Sequence, residues 1–172
     1  MAVYDPGPMA VSIAACKAFL RLERDDEDAV LAGFVRTAMA LCEAFTGQWL
    51  IVRDGEQRLA AMGGWQRLLA RPVTAITALS DAAGPLAGGE YESDIDAAGS
   101  GWVRLSGQRT SVVTAVFRAG LAADWNGVPE PLRQGLIRLT AHLYTHRDAA
   151  DAAAAPAAVA ALWRPYRVMR LG

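Results

Sequence analysis

The feature that most restricts the fold is a change of residue period along the chain. Helical spacing runs to Thr46-Gly47, short β-type runs follow from Trp49 to about Trp125, and helical spacing returns after Pro129. Apolar residues recurring every three or four positions give one buried helix face, whereas Val, Ile and Thr runs cut by glycine turns suit strands. A chain written this way inserts a sheet between two helical halves.

Each half carries its own start and stop signals. Ser12 is a good N-cap for a helix through Ile13, Cys16, Phe19 and Leu20. Asp25 or Asp26 is expected to cap a second helix, with Glu27 and Asp28 facing the positive end of its dipole. Val30, Phe34, Leu41 and Phe45 recur along that helix until Gly47 stops it. Pro129 and Pro131 suit the entrance of a third helix, in which Leu132, Leu136, Leu139 and Leu143 share a face. An alanine-rich stretch broken by Pro156 leads to a short final helix around Ala157–Trp163.

Strands are expected at Trp49–Arg53, Gln66–Ala70, Ala75–Leu79, Trp102–Leu105 and Val112–Arg118, with turns at Asp54-Gly55, Gly63-Gly64, Gly84-Pro85, Gly88-Gly89 and Gly99-Ser100-Gly101. The expected class is α+β but mainly helical: a bundle of N-terminal helices and a C-terminal helix, a small antiparallel β insertion, and an extended or short-helical tail. As one domain over 1–172 this places helices at about 12–47 and 129–147, the insertion at about 49–125 and the tail at about 157–172.

Hydrophobic residues make up 53% of the 172, charged residues 20%, and formal net charge is −1. That balance excludes a disordered tail and a strongly basic DNA-coating protein. Met1 to Pro6 lacks the basic and apolar runs of a signal peptide, and no apolar stretch approaches about 18 residues, so a cytosolic protein without membrane contact is expected. Cys16 and Cys42 lack CxxC spacing and read as buried thiols.

Catalytic signals are weak. His142 and His146 share a helical face, but residue 143 is Leu where a zinc-protease helix needs Glu. Asp94, Asp96 and Gly99 faintly resemble a calcium loop, but position five is Ala98 and position twelve is Leu105, where a bidentate Glu belongs. Glu90, Glu92, Asp94 and Asp96 form an acidic cluster on an expected loop; paired carboxylates there are the basis of a hydrolase reading. Arg133, Arg138, Arg147 and the terminal arginines are the basis of a nucleic-acid-binding reading. The end of the chain stands out more. Leu162, Trp163, Arg164, Tyr166, Arg167, Met169 and Arg170 place aromatics and arginines, the residue types of interface anchors, where a terminus is ordinarily polar. Packing of Trp163 onto the bundle and anchoring in another molecule are both open.

Taken in order, Lys17-Ala18-Phe19-Leu20-Arg21-Leu22, Asp25-Asp26-Glu27-Asp28, Glu43-Ala44-Phe45-Thr46-Gly47, Arg71-Pro72-Val73, Phe117-Arg118-Ala119-Gly120, Val128-Pro129, Leu143-Tyr144-Thr145-His146-Arg147 and Leu162-Trp163-Arg164-Pro165-Tyr166-Arg167 make a familiar series. It resembles phage head-tail connector (adaptor) proteins, a family that includes adaptors of phage-derived gene transfer agents. The resemblance implies a structural subunit with no reaction and no cofactor. It implies a ring, typically of twelve copies, beneath the portal protein, joined below to stopper or tail-completion proteins, with double-stranded DNA passing through its channel. Assembly would take place in the host cytoplasm and the finished ring would lie in the particle neck. The C-terminal segment would dock on the portal or a neighbouring subunit, and the acidic cluster is a candidate for facing the channel. Tail completion or stopping is the nearest alternative role.

Overall fold

The computed structural model describes residues 8–61, 63–107, 111–147 and 156–168. The chain divides into two compact units, one built from residues 52–121 and the other from the flanking segments.

The flanking segments form the helical unit: α1 (Ile13–Leu20), α2 (Asp28–Thr46), α3 (Glu130–Thr145) and α4 (Ala157–Trp163). α3 packs against α1, α2 and α4. Its Leu132, Leu136, Leu139 and Leu143 are all buried, and each such leucine contributes about 1.5–3 kcal/mol through burial. α2 meets them with Leu31, Val35, Ala38, Met39 and Cys42. By length and hydropathy α2 could cross a bilayer, but these residues make it the core helix of its unit. Ser12 caps α1 as expected, its Oγ accepting from Ala15 N at 3.1 Å. Gly47 ends α2 at φ 72°, the left-handed conformation that glycine adopts without strain. The expected aspartate cap of α2 is absent. Glu27 holds the N-cap position without a side-chain bond, while Asp25 and Asp28 both pair with Lys17 of α1.

The strand unit is larger than expected. Its described residues hold seven strands: β1 (Arg53–Leu59), β2 (Trp65–Arg67), β3 (Val73–Asp81), β4 (Gly84–Pro85), β5 (Tyr91–Ile95), β6 (Gly101–Leu105) and β7 (Val113–Ala119). They form two antiparallel sheets, ordered β1-β7-β3-β4 and β2-β6-β5. Of the described residues 38% are helical and 27% strand, so the expectation of a mainly helical bundle with a small β insertion is corrected to a mixed α+β fold.

The reason lies in β1 and β5. β1 reads Arg-Asp-Gly-Glu-Gln-Arg-Leu, which no strand propensity favours, and it contains the Asp54-Gly55 pair expected to turn. It is a strand because every residue pairs with β7, from Arg53 opposite Ala119 to Leu59 opposite Val113. Trp49 to Val52, expected as a strand, is a connector in which Ile51 makes one isolated bridge to Ala122. β7 is the spine of its sheet: Val113, Ala115, Phe117 and Ala119 point into the core while Thr114, Val116 and Arg118 point out.

Candidate functional site

The C-terminal segment is folded back onto its own helical unit. Trp163 is 1% exposed, its ring 6.0 Å from that of Phe45. It fills a notch left by Gly135 of α3, where an added Cβ would lie 2.0 Å from the indole nitrogen. Val168 N donates to the Thr46 carbonyl at 2.9 Å, satisfying one of the carbonyls that the end of α2 leaves without a helical partner. Gln48 Nε2 donates to the Tyr166 carbonyl at 2.6 Å, and the Arg167 guanidinium lies 5.7 Å from the Phe45 ring centre. Of the two readings left open for Trp163, the structure gives the internal one. Arg164, Pro165 and Arg167 remain exposed, while Leu162 and Tyr166 are half-buried. Met169 and Arg170 lie outside the described residues.

The junction between α2 and α3 is also tied. Glu27 accepts from the Tyr144 hydroxyl and from Arg147 Nη1, the latter at 3.0 Å. The Tyr144 hydrogen bond, with the Arg147 guanidinium behind it, holds the Glu27 carboxyl below the ordinary range, and the same bond pushes the Tyr144 phenol up.

The acidic cluster is a strand rather than a loop. Glu92 and Asp94 lie on β5, an edge of its sheet, with Glu90 just before it and Asp96 just after. β5 is strand because β6 supplies a complete register, Glu92 opposite Arg104 and Asp94 opposite Trp102. Glu92 pairs with Arg104 Nη2 at 2.6 Å. Asp96 Oδ1 accepts from Ser100 N at 2.8 Å and Ala98 N at 2.9 Å, and its Oδ2 accepts from Trp102 Nε1 at 3.3 Å. Those bonds, Ser100 foremost, hold the Asp96 carboxyl down and keep it ionised. It is therefore a turn anchor and a poor proton donor.

The other candidate residues are mostly occupied. His142 and His146 stack with ring centres 4.3 Å apart, and no group of three metal-ligating side chains occurs among the described residues. Arg133 pairs with Glu130 and covers Trp125 at 4.8 Å, and Arg147 is bound to Glu27, which leaves Arg138 on the exposed surface. Cys16 and Cys42 are free and buried, and burial pushes the Cys16 thiol up to about 11. The signal that sequence reading missed is an alternation on β6, where Trp102 and Arg104 face outward between buried Gly101, Val103 and Leu105.

The described residues therefore form a mixed α+β fold in which most of the conspicuous side chains are engaged within the chain. No protein-family model and no curated protein sequence matches the chain. Solved structures do. A chain in the neck of an empty gene transfer agent particle computed with C6 symmetry is 29% identical with a TM-score of 0.79, over 99% of this chain and 97% of that one. One in the virion of a native gene transfer agent particle is 31% identical with a TM-score of 0.77, over 99% and 97%. One in the neck of the native particle computed with C12 symmetry is 30% identical with a TM-score of 0.75, over 99% and 96%. The chain belongs to the phage head-tail connector (adaptor) family, which includes the adaptors of phage-derived gene transfer agents.

Proposed function

We propose that this chain is a structural neck subunit: a head-tail connector that forms a ring beneath the portal protein and joins it to stopper or tail-completion proteins. The observation that carries the reading is likeness over nearly the whole length, at TM-scores of 0.75–0.79, to chains from particle necks. The C12 symmetry of the native neck supports a ring of twelve. A net charge of −1 suits a channel through which DNA slides, since a basic lining would hold phosphates by counterion release. No reaction is assigned to it. Its carboxylates on and beside β5 are exposed or half-buried and partly spent on structure, as the Asp96 turn shows.

Docking on the portal is assigned to the exposed side of the C-terminal segment, Arg164 and Arg167 with the rims of Leu162 and Tyr166. Trp163 acts from within: seated against Gly135 and Phe45, it holds the segment in shape before any partner arrives. Little ordering entropy is then lost on docking. Mixing the purified chain with assembled portal and sizing the mixture tests this. Co-elution is expected for the native chain and loss of co-elution for R164E/R167E with an unchanged helical circular dichroism spectrum. A native chain that elutes apart from portal would contradict the assignment.

A further inference from the structure

The strand unit presents two outward faces that docking through the tail leaves unused. On the β2-β6-β5 sheet the register sets two rows across the strands, Trp65–Arg104–Glu92 and Arg67–Trp102–Asp94. The first row is closed, because Arg104 pairs with Glu92 and lies 5.2 Å from the Trp65 ring centre. The second is open: among the described residues, Arg67 and Asp94 have no ion-pair partner. Trp65 is 45% exposed, and with Trp102 and Asp94 it lines a shallow depression.

The outward face of the β1-β7-β3 sheet has the same arrangement of charge. Arg118 closes on Asp54 at 2.9 Å, whereas Glu56 and Arg58 are exposed and without an ion-pair partner among the described residues. Among the described residues each face thus offers one free cation and one free anion, and the two faces point away from the core of a single unit.

We propose that in the ring the Trp65–Trp102 face of one copy seats on the outward β1 face of the next, with Asp94 against Arg58 and Arg67 against Glu56. The proposal rests on the ring reading above. A cyclic assembly of more than two copies needs two different, mutually complementary patches on each subunit. A self-complementary meeting of two tryptophan faces would close at a dimer. Burying a free charge without a counterion is costly, so faces that leave unpaired charges select their partner by charge. Tryptophan and arginine supply the anchoring area. Charged edges on β1 and β5 disfavour strand addition, which makes the contact face to face. Asp94 is thereby assigned to the subunit boundary rather than to the DNA channel.

The test uses assembled particles. An Arg–Asp pair sets its Cα atoms farther apart than the ~7 Å a disulfide tolerates, so R58C/D94C is linked with a bismaleimide. The native cysteines are buried and give little background. A ladder of covalent multimers, absent from either single-cysteine chain, is the expected result. Particles that contain the chain but yield no ladder overturn the interface and leave the neck reading standing. Particles from which even the native chain is absent overturn both. Should R58C/D94C fail to enter particles, charge reversal decides. D94R is expected to cut incorporation at least about tenfold and added R58D to restore it. Normal incorporation of D94R, no rescue by R58D, or normal assembly followed by defective DNA ejection would each contradict the proposal.

Discussion

Two glycines in helices have opposite expected responses to the same substitution. Glycine inside a helix costs roughly 0.5–1 kcal/mol relative to alanine. At Gly33 of α2 an added methyl meets nothing within 4 Å, so Gly33→Ala is expected to stabilise by about that amount. At Gly135 the methyl would come within 2.0 Å of a buried tryptophan ring that has no free end to swing aside. There overpacking, about 1–3 kcal/mol, outweighs the helix gain. Thermal melts check both: G33A should melt higher than the native chain and G135A lower, by a few degrees each at about 2–4 °C per kcal/mol. An unchanged or higher melting point for G135A would mean that Trp163 is not seated as described. Trp163 is also where sequence reading stopped short. Residue type marks a hot spot, but only the α3 register shows that Gly135 opens a notch opposite it.

Among elements, legibility followed the source of each element's stability. α2, α3 and α4 could be read because helical periodicity is written in each segment itself; α4 was expected at Ala157–Trp163 and is observed there. β3, β6 and β7 could be read from their β-branched and aromatic content. β1 and β5 could not, since their own sequences are polar and acidic and partner strands alone make them strands. A local pattern cannot report a stabilisation that comes from a distant segment. The tie between the start of α2 and the end of α3 has a pH signature with a definite sign. Glu27 titrates lower in the folded chain than the ordinary 4.5, so its contribution is complete above that pH and is lost as pH falls through the lowered value. E27Q removes this dependence. Its melting temperature is therefore expected to lie below that of the native chain at neutral pH, with the gap narrowing as the pH drops below 4.5. A gap that widens in acid would contradict the pairing with Tyr144 and Arg147.

On the scale of the whole molecule, the division of labour follows from where free surface remains. The helical unit sets Phe45 against Trp163 and Phe34 against Tyr144, and leaves Phe19, Arg164 and Arg167 exposed. The strand unit buries β7 and β6 on one side and leaves tryptophan and unpaired charge on the other. On the function proposed above, such a subunit would work by contact, one surface for a larger partner and two for its own copies. The most direct test deletes the chain from the particle-producing cell and images the purified particles by electron microscopy. DNA-filled heads without tails, restored to tailed particles by the native chain in trans, are predicted. Intact tailed particles formed in its absence would contradict the account.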